Sequence, residues 1–239
     1  MKKLLVVIGI LMCFMSCVNA NSQEPLKPIS TFKIEINEPS GITYYKNHLY
    51  IASDYNGLVY KTNLKGKITK KIPTDFTDLE GVAVDENGDL FVVNELKRTF
   101  VKIKPSGETD KKYKIKGSQK HNNSGLEGVC FSKKLDCFFI VNESSPREVL
   151  RISKKGKEKD FFKIDFANDL SGICFDEESN SLWIVSDESK AIYNLNLHGE
   201  LLKKYKISVE KAEGITIQNN KIYIVSDSEN KLYVFKKVD

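Results

Sequence analysis

One unit recurs five times along this chain, and that recurrence limits the possible folds more than any other feature. The segments SGITYYKNHLYIASD from Ser40, EGVAVDENGDLFVVNE from Glu80, EGVCFSKKLDCFFIVNE from Glu127, SGICFDEESNSLWIVSDE from Ser171 and EGITIQNNKIYIVSD from Glu213 are versions of a single pattern. Their glycines, Gly41, Gly81, Gly128, Gly172 and Gly214, are spaced by 40, 47, 44 and 42 residues. Each unit runs from a short apolar strand through a turn rich in Asn, Asp, Lys and Gly to a second strand such as Leu182-Trp183-Ile184-Val185. That second strand is apolar on both faces, as expected of a strand covered on both sides. A third strand, a glycine turn (Gly66, Gly107, Gly156 or Gly199) and a lysine-rich fourth strand complete the unit. Four strands in roughly 40 to 45 residues is the period of a propeller blade.

The two ends of the repeat array complement each other. The last unit stops after its third strand, Lys231 to Lys236, and the leftover segment Ser30 to Ile36 reads as a fourth strand with no unit of its own. Joining them closes a ring and leaves no open end, whereas a solenoid would need polar caps. The sequence therefore predicts an all-β fold: a five-bladed β-propeller over residues 28–239, with four-stranded antiparallel blades and the N-terminal strand completing the last one.

Ahead of the propeller, residues 1–16 carry Lys2 and Lys3 and then an apolar run from Leu4 to Met15. That run is shorter than the roughly 20 residues a membrane-spanning helix needs, and the pattern is that of a secretory signal. Phe14-Met15-Ser16-Cys17 reads as a lipoprotein cleavage site with Cys17 lipidated, and Val18-Asn19-Ala20 as an alternative small-residue site. Residues 17–27 form a tether. The expected protein is exported, anchored in the cell envelope through the N-terminal lipid only, and monomeric.

Lys+Arg outnumber Asp+Glu by 37 to 32, which raises the question of nucleic acid. The lysines of the fourth strands, among them Lys70, Lys71, Lys111, Lys112, Lys203 and Lys204, would be spread around the rim as edge protection. No basic patch interleaved with aromatic residues remains, so no nucleic-acid partner is expected. Cys130, Cys137 and Cys174 read as small buried hydrophobes, an odd number that permits at most one internal disulfide.

The acids follow the repeat. Glu80, Glu127 and Glu213 begin the first strand of their units, with Ser40 and Ser171 in the other two; Asp54, Glu95, Glu143, Asp187 and Asp227 end the second strands. In a blade, the start of the first strand and the end of the second lie on one face near the axis. Up to eight carboxylates therefore converge on a channel mouth, together with oxygens of Ser53, Asn94, Asn142, Ser186 and Ser226. Such a cluster repels itself unless a cation neutralises it. Oxygen ligands without His or Cys favour a hard ion, and Ca²⁺ accepts an irregular cage of 6–8 oxygens more readily than Mg²⁺. The competing reading is that the strand-two acids merely cap turns.

The order Ser-Gly, Glu-Gly, Glu-Gly, Ser-Gly, Glu-Gly, with Val141-Asn142-Glu143-Ser144-Ser145-Pro146-Arg147 and Ile184-Val185-Ser186-Asp187-Glu188-Ser189, resembles the SdiA-regulated family of bacterial β-propellers over about residues 28 to 238. The resemblance implies a five-bladed propeller with a bound calcium ion, distantly similar to NHL-repeat propellers, some of which are enzymes. Glu80, Glu127 and Glu213 best match calcium-holding positions.

Two functions are expected from different classes. The first is a calcium-binding envelope module that receives a small-molecule or protein ligand at the mouth. The alternative is a Ca²⁺-dependent hydrolase of a lactone, ester or phosphoester. For that chemistry the candidate general base is His121, in the loop from Gly117 to Gly125, although a solvated loop histidine accounts for it more simply. No Gly-x-Ser-x-Gly elbow, phosphate-cradling loop or zinc spacing is present.

Overall fold

A computed structural model describes residues 24–117 and 125–238, all of them in strands, turns and connecting loops, with no helix among them. The segment expected to be a secretory signal, Cys17 and His121 lie outside the described residues. The first strand, β1 (Ser30–Lys33), precedes blade 1, which consists of β2 (Pro39–Tyr45), β3 (His48–Ser53), β4 (Leu58–Thr62) and β5 (Ile68–Pro73). Blade 2 holds β6 (Leu79–Val84), β7 (Leu90–Asn94), β8 (Thr99–Ile103) and β9 (Thr109–Lys114). Blade 3 holds β10 (Leu126–Ser132), β11 (Cys137–Asn142), β12 (Glu148–Ile152) and β13 (Glu158–Lys163). Blade 4 holds β14 (Gly172–Asp176), β15 (Ser181–Ser186), β16 (Ala191–Leu195) and β17 (Leu201–Lys206). Blade 5 begins with β18 (Ala212–Gln218), β19 (Lys221–Ser226) and β20 (Lys231–Lys236).

Blade 5 takes its fourth strand from the other end of the chain: β1 pairs antiparallel with β20, Ser30 opposite Val234 and Lys33 opposite Lys231. The chain is thus an all-β, five-bladed propeller whose ring is closed by its N-terminal strand. Leu26, assigned by sequence to the tether, also belongs to the folded body. Its N–H donates to the Lys206 carbonyl at 2.8 Å, and its side chain packs on the cluster around Trp183 and Phe235. A leucine that reaches an apolar seam is held there by burial, which residue type alone in a polar stretch does not reveal.

The strand positions follow from side-chain type. The second strands β7, β11 and β15 are buried throughout because each lies between two neighbouring blades. The outer strands β5, β9, β13 and β17 expose their lysines. Several of those lysines also lie over inner aromatic rings, such as Lys112 over Phe76 at 4.9 Å and Lys204 over Tyr193 at 5.2 Å. Apolar seams fill the wedges between blades. The seam that matters most for closure joins Ile42, Leu49, Ile51 and Tyr60 of blade 1 to Tyr223, Val225, Leu232 and Val234 of blade 5. The outer turns are closely fitted as well: Gly107 has φ +98°, and a Cβ there would stand 1.6 Å from the Pro73 carbonyl oxygen. The three cysteines of the propeller are buried and free.

Candidate metal centre at the channel mouth

The first strand of a blade does not enter the sheet smoothly. In four blades its pairing with the second strand shifts register at the start, between Pro39 and Gly41, Leu79 and Val82, Leu126 and Val129, and Ala212 and Gly214. Such bulges re-aim the side chain they carry. Here the bulge carries Ser40, Glu80, Glu127 and Glu213, and each lines the mouth of the axial channel.

The end of the second strand is fastened to the loop that enters the same blade. Asp54 N–H donates to the Glu38 carbonyl (3.1 Å), Glu143 N–H to that of Gly125 (2.9 Å) and Asp227 N–H to that of Lys211 (2.9 Å). The small polar residue before each acid completes the clamp. Ser53 Oγ donates to Asn37 O at 2.6 Å, Asn94 Nδ2 to Asp78 O at 2.8 Å, and Ser226 Oγ to Glu210 O at 2.5 Å. Ser186 Oγ donates to an Asp169 carboxylate oxygen, and Asn142 Oδ1 accepts from the Arg98 guanidinium. Ser53, Asn94, Asn142, Ser186 and Ser226 are all essentially buried. Their side chains tie loops together and do not supply oxygens to the mouth, which corrects the expectation from sequence.

The resulting cup has a volume of about 260 Å³. Seven of the eight acids singled out in the sequence line it: Asp54, Glu80, Glu95, Glu127, Glu143, Glu213 and Asp227. Asp187 does not. Its carboxylate is taken up by Lys190 (3.2 Å) and Lys211 (3.4 Å). Sequence reasoning missed Glu38 and Asp78, which also line the cup, and Lys211, the only cationic side chain that lines it among the described residues. All three stand two residues ahead of the Ser-Gly or Glu-Gly pair, a regularity that the spacing carries but the loop context obscures.

The carboxylates gather into two groups. Oxygens of Asp54, Asp78 and Glu80 lie within 4.8 Å of one another, as do those of Glu95, Glu127 and Glu143. Glu80 and Glu127 thus fall into different triads and Glu213 into neither, so the three Glu-Gly acids are not brought together as one set. Burial drives Glu80 and Glu127 well above the usual carboxylate range, and the neighbouring acids push further in the same direction. Burial likewise lifts Glu95 to about 7 against the opposing hydrogen bond from Gly125 N–H (2.8 Å), and Glu143 to about 7. Glu213 rises to about 7 through burial despite Lys211, and Asp54 to about 6 through burial beside Asp78. A desolvated set of mutually repelling oxygens is what a hard cation relieves.

The five repeat glycines form the floor of the cup. A Cβ on Gly41 would lie 2.3 Å from the Glu80 carbonyl oxygen, one on Gly128 2.7 Å from the Gly172 Cα, and one on Gly214 2.8 Å from the Ile42 nitrogen. The space left at that level is about 10 Å³, room for no more than one water. Beyond it a second cup of about 320 Å³ opens on the far face, with Tyr44, Tyr45, Phe131 and Phe175 in its wall. His48 stands at the start of β3 with Nδ1 on the Lys46 carbonyl (2.9 Å), and His198 lies in an outer turn. Neither lines the acidic cup.

Fold and site together define a five-bladed β-propeller with an acidic axial cup able to hold a metal ion. The family described as SdiA-regulated matches residues 22–236, and the chain belongs to that family. Among solved structures, the Myxococcus xanthus glutaminyl cyclase is similar at 10% identity and a TM-score of 0.72, over 90% of this chain and 100% of that one. A selenomethionine-substituted virginiamycin B lyase from Staphylococcus aureus is similar at 19% identity and a TM-score of 0.55, over 84% of this chain. This chain spans 66% of the lyase, just under two thirds of its length. A protein of unknown function from Bacteroides caccae is similar at 13% identity and a TM-score of 0.58, over 79% of this chain and 70% of that one. At these identities the likeness is one of fold.

Proposed function

We propose that this protein is an exported, lipid-anchored, calcium-binding propeller that receives a ligand at its acidic mouth. The observation that carries the reading is the pair of carboxylate triads, each within 4.8 Å, in one cup that is lined, among the described residues, by nine carboxylates and a single ammonium group. Oxygen donors at this density, held by buried loop clamps, suit Ca²⁺ better than a softer metal. The residues that would hold it are drawn from Asp54, Asp78, Glu80, Glu95, Glu127 and Glu143. A bound ion supplies positive charge at the axis and an open face for an oxygen-bearing ligand. Export and anchoring rest on Lys2, Lys3, the Leu4–Met15 run and Cys17.

Thermal unfolding tests the metal reading. A ligand present at one hundred times its dissociation constant stabilises the folded state by about 2.7 kcal/mol. For a chain of this size that corresponds to a melting point about 5–10 °C higher in Ca²⁺ than in chelator. Superimposable curves in Ca²⁺ and chelator would contradict the reading.

A further inference from the structure

Two of the large exposed apolar side chains adjoin acids that line the mouth: Tyr55, next to Asp54, is 63% exposed and Leu96, next to Glu95, is 53% exposed. They occupy the same position in neighbouring blades, directly after the acid that ends the second strand. In the other three blades that position holds Ser144, Glu188 and Ser228. Both flank one triad. Tyr55 follows Asp54, and the Leu96 N–H donates to Asp78 Oδ2 at 2.7 Å, while Asp54, Asp78 and Glu80 oxygens lie within 4.8 Å of one another. Elsewhere on the rim charge prevails: Glu38 and Glu188 are exposed, and Lys211 lines the cup from the blade 5 side.

This arrangement has an oily side, an acidic floor that suits an ion and, on the blade 5 side, the Lys211 ammonium, which also pairs with Asp187 at 3.4 Å. We propose that the loaded mouth binds a small soluble amphiphile, with a carboxylate head on the bound cation and Lys211 and an apolar chain lying across Tyr55 and Leu96. The inference rests on the calcium reading and adds the class of ligand. A flat anionic bilayer would hold many negative charges against the exposed carboxylates of Glu38 and Glu188, whereas a single free molecule sets its one carboxylate on the cation, so the occupant is a free molecule.

Calorimetric titration of Ca²⁺-saturated full-length protein with acetate, hexanoate and octanoate is the test. Each CH₂ laid on the rim tightens binding about fourfold, so octanoate binds about a hundredfold more tightly than acetate once three or four are covered. The Tyr55→Ser/Leu96→Ser pair flattens this chain-length dependence while Ca²⁺ affinity, titrated separately, stays within about twofold. Three results overturn the inference with the calcium reading intact: octanoate and acetate binding alike, a double variant that keeps the dependence, or phosphatidylglycerol vesicles binding where octanoate does not. Octanoate binding equally in chelator overturns the placement of its head on the ion. Absence of Ca²⁺ uptake, read from the metal titration alone, overturns both.

Discussion

Gly128 and Gly172 meet backbone to backbone beside the propeller axis, so closely that a Cβ on Gly128 would stand 2.7 Å from the Gly172 Cα. No side chain can yield there, because the obstructing atoms are main chain of the next blade. Gly128→Ala must therefore push β10 away from β14 and strain the ring. Overpacking of this kind costs about 1–3 kcal/mol or more. The expected result is a melting point lower by about 3–10 °C, read by thermal unfolding, with the strand signature in circular dichroism retained. An unchanged melting point would show that the waist is looser than described.

The charge state of the cup predicts an unusual pH dependence for metal-free protein. Glu95, Glu143 and Glu213 are lifted to about 7 and Asp54 to about 6, so between the ordinary carboxylate range and pH 7 the folded state binds more protons than the unfolded chain. Stability from these groups is then fully present below the ordinary range and is lost as pH rises through 6 to 7. In chelator, the protein melts higher at pH 5.5 than at pH 8. Saturating Ca²⁺ narrows the difference, because the ion stabilises the deprotonated carboxylates. A chelated protein more stable at pH 8 than at pH 5.5 would oppose the assignment.

Much of this organisation is legible in the sequence because blade geometry is periodic. The Glu-Gly and Ser-Gly pairs mark the inner strands, and the end-of-strand acids follow 14 to 16 residues later, so position along the repeat predicts position around the axis. Details that depend on what one loop does to another are not legible in this way. Asp187 has the right place in its repeat but is captured by Lys190 and Lys211, and Asp78 and Glu38 stand in entry loops where a carboxylate has many possible roles. The residues before the acids looked like additional ligands. Burial makes them clamps, since a buried hydroxyl or amide must find a partner, and the nearest is the adjoining loop.

The anchoring proposed at Cys17 predicts a simple partition experiment. In detergent phase separation the protein as expressed with its signal enters the detergent phase, and Cys17→Ser moves it to the aqueous phase, since acyl chains supply the membrane affinity. Equal partition of the two forms would point instead to cleavage after Ala20.

The central claim is that the acidic cup holds a cation, and calorimetric titration of Ca²⁺ into chelator-stripped protein tests it most directly. Wild-type protein is expected to take up Ca²⁺ saturably, and Glu80→Gln/Glu127→Gln, which keeps the side-chain volumes and removes one carboxylate from each triad, to bind about a hundredfold more weakly or not at all. A wild-type protein with no saturable uptake, or a double variant that binds as tightly as wild type, would contradict the account.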